Sequence, residues 1–212
     1  SSRVSFVFDK AKGMVTSYKV AGKEYFYEGF GLQPNFWRGP TDNDYGNQMP
    51  YRLQVWKEAS ANFKVAEASA SMQDKNAVVE VKYALPTKNI MTVKYTIMPS
   101  GAITVDGDFA AVTQGDAAKA NVPRIGLRFR VPASLNHVQY YGRGPEENYA
   151  DRNNGTLLGI YSALADDMKY DYVRPQECGH HTDTRWLAVG TAKSGGLKVM
   201  SSTPFEFNAL RN

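Results

Sequence analysis

An all-β, antiparallel fold is predicted by three observations in this 212-residue sequence. Apolar residues recur at a period of two in most segments, turn-forming clusters separate those segments at short intervals, and no long amphipathic helices alternate with the strands as a parallel sheet would require. A sandwich of this size can be one domain, so a single β unit over residues 1–212 is expected. Hydrophobic residues make up 42% and charged residues 22%, enough apolar material for a sizeable core and too much for wholesale disorder.

Taken in order, Val4, Phe6 and Phe8 open the first strand, and the turns Ala11-Lys12-Gly13 and Ala21-Gly22-Lys23 follow it. The spacing predicts one helix over Met49–Ala59, where Tyr51, Leu53, Val55, Trp56 and Ala59 partly fit a helical stripe and Pro50 suits the first turn. After the turn Gln73-Asp74-Lys75-Asn76, alternation resumes in Val79-Val81-Tyr83 and Val93-Tyr95-Ile97. Pro99-Ser100-Gly101 then leads to Ile103-Val105, and Leu127-Phe129-Val131 follows, with a late turn at Ser194-Gly195-Gly196. Two segments break the pattern, Pro34–Gly46 and Tyr140–Trp186, and read as long structured loops, the second interrupted by short elements such as Thr156–Tyr161.

Charge narrows the function. Twenty-five basic residues against 21 acidic ones give +4, with a pI near 9.0, but the bases are scattered among acids and form no stripe, which argues against nucleic acid. No apolar run is long enough to cross a bilayer, and SSRVSFVFDKAKG shows no export signal, so no membrane partner is expected and the compartment is not legible. The single Cys178 excludes an intramolecular disulfide and a multi-cysteine zinc site.

Three motifs carry the unusual residues. In Arg38-Gly39-Pro40-Thr41-Asp42-Asn43-Asp44, the oxygens of Asp42, Asn43 and Asp44 suit sugar hydroxyls or calcium. The spacing is not that of an EF-hand, and turn and helix-start capping with Arg38 held by a carboxylate is the commoner use. In Gly142–Arg152, Glu146 and Glu147 tempt a glycosidase reading, yet adjacent side chains diverge and do not oppose each other across a sugar. Glu147 and Asp151, at i and i+4, can share a helical-turn face with Arg143 or Arg152, which more naturally gives a buried ion-pair network. In Arg174–Asp183, His180 and His181 lack zinc-site spacing; Glu177 with either histidine makes a conceivable acid/base pair, and Cys178 a weaker nucleophile. Most of the 26 aromatic residues (3 Trp, 13 Tyr, 10 Phe) belong to the core, while Tyr140, Tyr141, Tyr149, Tyr170 and Tyr172 are expected at a cleft rim.

The strings FWRGPTDND (36–44), YYGRGPEENYADR (140–152) and YVRPQECGHHTDTRW (172–186) resemble the C-terminal small-chain domain of glycoside hydrolase family 2 β-galactosidases. The likeness covers nearly the whole chain and departs from it at Cys178, where the family more often has Asn. It implies a large supersandwich similar to galactose mutarotases, within a fragment of a multidomain enzyme that stops short of its own C-terminus. The catalytic glutamates would then lie on a separate (β/α)₈ barrel, the partner of this domain in the same chain, and β-galactoside would reach the domain only through the parent. Magnesium and sodium used by such parents would bind elsewhere. No residue here inherits catalysis or metal binding, and Trp37, Trp56 and Trp186 do not take the place of the family's substrate-stacking C-terminal tryptophan. Arg38, Asp42, Asn43, Asp44, Arg143, Glu147, Asn148, Tyr149, Asp151, Arg152, Glu177 and His180 remain candidates for carbohydrate binding or domain docking. A mutarotase-like enzyme and a free-standing carbohydrate-binding module are the rival readings.

Overall fold

The computed structural model describes residues 3–110, 121–193 and 195–211. In chain order the first half contains β1 (Val4–Asp9), β2 (Met14–Val20), β3 (Lys23–Glu24), β4 (Gln33–Asn35), α1 (Asp42–Gly46), α2 (Met49–Arg52), α3 (Gln54–Ala61), β5 (Lys64–Gln73), β6 (Asn76–Ala84) and β7 (Ile90–Ile97). Next come β8 (Ile103–Ala110), β9 (Gly126–Arg128), β10 (His137–Gly144), β11 (Leu157–Leu164), β12 (His180–Gly190) and β13 (Leu197–Asn208). Every strand pairing described is antiparallel, so the all-β class is shown. The chain divides into two compact units, one of residues 1–38 and 48–131, the other of 39–47 and 132–212.

The first unit holds a three-stranded sheet β1-β2-β3, a meander β5-β6-β7-β8 and the short pair β4-β9. Alternation along β6 and β7 sends Val81, Tyr83, Val93 and Tyr95 fully inward. The Phe6 and Phe8 rings of β1 lie 5.7 and 6.3 Å from the Tyr95 ring, so the three-stranded sheet covers that face in a sandwich. Trp56 of α3 is completely buried against Phe36 and Phe109, at 5.8 and 5.9 Å between ring centroids. Ser60 Oγ ties helix to strand by donating to the Trp56 carbonyl and accepting from the Phe36 N–H at 2.7 Å.

The expected helix over 49–59 is broken. Leu53, at φ −110° and ψ 13°, leaves helical geometry and separates α2 from α3. A further helix, α1, occupies part of the segment read as loop, and of Leu127-Phe129-Val131 only Leu127 lies within strand β9. Ser194 of the late turn falls outside the described residues.

In the second unit the sheet order is β11-β10-β12-β13. Val138, Tyr140, Met168, Leu187 and Phe207 form its core, backed by Tyr161, Val189 and Phe205. Much of the predicted loop 140–186 is therefore strand; its irregular parts are the stretches between β10 and β11 and between Leu164 and β12. The β12–β13 register shifts on both sides of Thr184, and Asp183 there has φ 51°, a bulge that turns side chains of β12 toward the preceding loop.

Candidate functional site

The bulged start of β12 and the loop leaving β10 are joined by Asn148, which is fully buried. Its Nδ2 donates to the Arg143 and Glu146 carbonyls at 3.1 and 3.0 Å. Its Oδ1 accepts from the Thr182 N–H at 3.1 Å and the Thr182 hydroxyl at 2.6 Å, and its own N–H donates to the His180 carbonyl at 2.7 Å. An amide suits this place because only it offers two donors and an acceptor without charge. Gly144, at the end of β10, must lack a side chain: a Cβ there would overlap the Tyr140 hydroxyl and the Tyr161 ring.

Glu147 points inward from the same loop with 8% of its side chain exposed. Its Oε2 accepts the Gly179 N–H at 2.6 Å and its Oε1 accepts from Arg152 at 3.0 Å. Gly179 has φ 67°, and a Cβ on it would sit 2.6 Å from Leu210, so this position calls for glycine. Arg152 also donates to the Tyr172 hydroxyl at 2.7 Å and lies 5.1 and 5.6 Å from the centroids of the Tyr149 and Tyr172 rings. The Tyr149 hydroxyl donates to Gln176 at 2.5 Å, and burial pushes its pKa up. Arg143 reaches the other way: its Nε meets the Asp183 carboxylate at 2.5 Å while Nη1 donates to the Asn153 and Thr156 carbonyls at 3.3 and 2.9 Å.

The two neighbouring histidines are both buried and serve different partners. His180 sets Nδ1 3.0 Å from Asn208 Oδ1 and 3.5 Å from the Glu177 carboxylate, with Nε2 3.1 Å from Glu206. His181 stacks on Phe207 and meets Tyr140 edge-on at 4.6 Å, its ring nitrogens facing the Gly179 and Pro145 carbonyls. Burial in this aromatic slot holds the His181 pKa below its ordinary value, outweighing the two carbonyls that favour the charged form.

The first motif behaves as a cap. Thr41 and Asp44 form a reciprocal capping box at the start of α1, with Asp44 accepting the Thr41 N–H at 2.8 Å. Asp42 pairs with Arg174 at 3.0 Å, and its N–H donates to the Pro175 carbonyl at 2.8 Å. The guanidinium described against the Asp42 carboxylate is that of Arg174. Asn43 is exposed, its carbonyl accepting from the Asn47 N–H.

Glu147, Asn148, Tyr149, Arg152, Glu177 and His180 are therefore brought together around Gly179, with Arg143 beside them through Asn148. Asp151 is exposed, and Glu147 pairs with Arg152 in place of sharing a helical turn with Asp151. Tyr140, expected at a cleft rim, is 1% exposed and belongs to the core, because it faces inward on β10. Thr182, Asp183, Gln176, Glu206 and Asn208 were not singled out from sequence; the alternation hidden in HHTDTR is the one signal that places Thr182 and Thr184 on an inward face.

Chemically, Glu146 is exposed while Glu147 turns inward onto two donors, so the adjacent acids diverge. Among the described residues no group of three or more His, Cys, Asp or Glu is placed to hold a metal ion. Among them also, no helix is long and apolar enough to cross a membrane.

The sheets define an all-β, antiparallel chain with a cross-linked polar loop cluster in its second unit. This chain belongs to the family described as Beta galactosidase small chain, whose model matches residues 1–212. It is 34% identical over 205 residues to a β-galactosidase of Priestia megaterium, covering 96% of this chain and 19% of that protein. Against a β-galactosidase of Streptococcus thermophilus it is 33% identical over 211 residues, 98% of this chain and 20% of that protein. A β-galactosidase of Kluyveromyces lactis is 30% identical over 219 residues, again 98% and 20%. The chain spans about one fifth of the length of these curated relatives.

Proposed function

We propose that the chain is a non-catalytic β-sandwich segment of a longer glycoside hydrolase family 2 β-galactosidase. The parent hydrolyses terminal β-D-galactose residues with retention, through two carboxylates on another domain of the same polypeptide. The role of this segment is to hold the loop cluster around Asn148 and Gly179 in shape for docking against that catalytic domain. The family match over residues 1–212 supports one structural domain made of both units.

One observation carries the reading: Glu147, Asp183 and Glu177 each face a partner within this chain rather than one another across a cleft. Glu147 accepts from Gly179 and Arg152, Asp183 from Arg143, and Glu177 lies against His180 with 10% of its side chain exposed. A glycosidase needs two carboxyl groups opposed across roughly 5–10 Å of open space. The mutarotase-like alternative needs a histidine that a sugar hydroxyl can reach, and the His180 side chain is 5% exposed.

The test compares the 212-residue chain with the intact protein on o-nitrophenyl-β-D-galactoside and on galactose anomerisation. Hydrolysis by the intact protein alone is expected, and in it Arg143→Glu should raise KM or lower Tm while the pH profile keeps its acid and base limbs. Hydrolysis by the isolated chain, or anomerisation lost in His180→Ala, overturns the proposal.

A further inference from the structure

We infer that the outer edge of β11 is a strand-pairing site, filled by an extended apolar segment of the same polypeptide lying outside residues 1–212. The inference rests on the reading of this chain as part of a longer β-galactosidase.

Strand β11, Leu157–Leu164, is LLGIYSAL, and it stands at one end of its four-stranded sheet. It pairs with β10 residue for residue, from His137↔Leu164 to Gly144↔Leu157, with no bulge to twist its other side away. An edge strand offers a row of backbone N–H and C=O groups to any extended chain, and proteins normally block that row with charge, proline, bulges or short length. The other sheet edges among the described residues are blocked. β13 carries Lys198, Pro204 and Glu206; β8 carries Asp106 and Asp108; β5 carries Lys64 and Glu67 with a bulge between Val65 and Glu67. β1 has a bulge at Val7/Phe8 and ends on Asp9, and β3 is the charged dipeptide Lys23-Glu24. In the two-stranded pair, β4 contains Pro34 and β9 contains Arg128. β11 has no charge, no proline and no bulge.

Its side chains agree. Leu157, Leu158 and Ile160 are 76%, 45% and 64% exposed. Ile160 begins a row that crosses the sheet in register through Tyr141 and Trp186 to Met200, the last 70% exposed. Apolar surface gathered at an unblocked edge marks a covered face in the finished molecule. The geometry asks for an extended strand, since only a strand satisfies the backbone row and lays alternate apolar side chains beside Leu158 and Ile160. Four fifths of the length of the curated relatives lies beyond the stretch they share with this chain, which is ample source for such a strand.

Hydrogen exchange on the intact protein and on the 212-residue chain tests this. The β11 amides pointing away from β10 should be protected at least about ten-fold more strongly in the intact protein than in the short chain. The double substitution Leu158→Lys/Ile160→Lys should abolish that difference and lower the intact protein's Tm, while leaving the Tm of the short chain in place. Equal exchange in the two proteins, with galactosidase activity present in the intact one, overturns the inference and leaves the parent reading standing. Protection that already exists in the short chain, rises with its concentration and vanishes in the double variant assigns the edge to a second copy and equally overturns it. An intact protein with no galactosidase activity overturns the parent reading first and this inference with it.

Discussion

His181 shows how one residue can look catalytic in sequence and be structural in the fold. It lies between Phe207 and Tyr140 at 2% exposure, so its charged form is the disfavoured one. A neutral imidazole has one N–H, which can donate to the Gly179 carbonyl at 3.2 Å or the Pro145 carbonyl at 3.4 Å, but not both. A depressed histidine pKa has a definite sign in linkage: below the ordinary value of 6.5 the unfolded chain takes up a proton that the folded ring resists. The stability contributed by keeping this ring neutral is thus whole above 6.5 and falls as pH drops from there toward the lowered folded value. Urea midpoints measured from about pH 7.5 to 5 should therefore decline less steeply in His181→Phe than in the parent chain, whatever the offset between the two curves. Parallel curves would mean that burial of His181 does not govern its titration. His180 differs by facing two carboxylates and the Asn208 amide, a setting in which the same substitution asks a different question.

At the scale of elements, the loop after β10 is fastened to β12 by the side chain of Asn148. Truncation in Asn148→Ala leaves the Thr182 N–H and hydroxyl and the Arg143 and Glu146 carbonyls without that partner, in a site closed to water. With each buried orphan worth about 1–3 kcal/mol, a loss of at least about 3 kcal/mol in urea unfolding is expected, while Asp151→Ala in the same loop should stay within about 0.5 kcal/mol. Similar small losses in both would show that the loop is held by its backbone alone. The same element explains what the sequence hid. β6 and β7 were legible because their inward residues are Val, Tyr, Met and Ile, which make a visible period of two. β12 begins with His180, His181, Thr182 and Thr184 buried, polar side chains whose inward place depends on partners far along the chain. The Arg143–Asp183 pair was missed for that reason, since nothing local links residues 40 positions apart. The helical stretch over 49–59 was legible from its stripe, and only its break was not, since Leu53 is both buried and non-helical. For α1 the residues Asp42, Asn43 and Asp44 were in view as capping groups and Thr41, the actual N-cap, was not, while the five-residue helix was too short to show a stripe.

For the molecule as a whole, chain order and compactness disagree in a useful way. Residues 39–47 lie in sequence between the two parts of the first unit, yet they pack with 132–212. That short segment brings α1 with its capping box, the Asp42 N–H bond to Pro175 and the Asp42–Arg174 pair, all directed at the stretch that leads into β12. The second unit is therefore not encoded by the C-terminal half of the sequence alone. The exposed ion pair contributes less than about 1 kcal/mol and the backbone bond about 1 kcal/mol, so their removal weakens the unit without dissolving its core of Val138, Tyr140, Leu187 and Phe207. Residues 132–212 produced on their own should keep a β-sheet circular-dichroism spectrum but unfold at lower urea than the intact chain. Their amides between Tyr172 and Cys178 should exchange faster than those of β10, because the partner of Pro175 and Arg174 is gone while the β10 ladder with β11 and β12 remains. If the shortened chain matches the intact one in both measurements, then Gly39–Asn47 merely lies beside the second unit and the loop cluster keeps its shape without it.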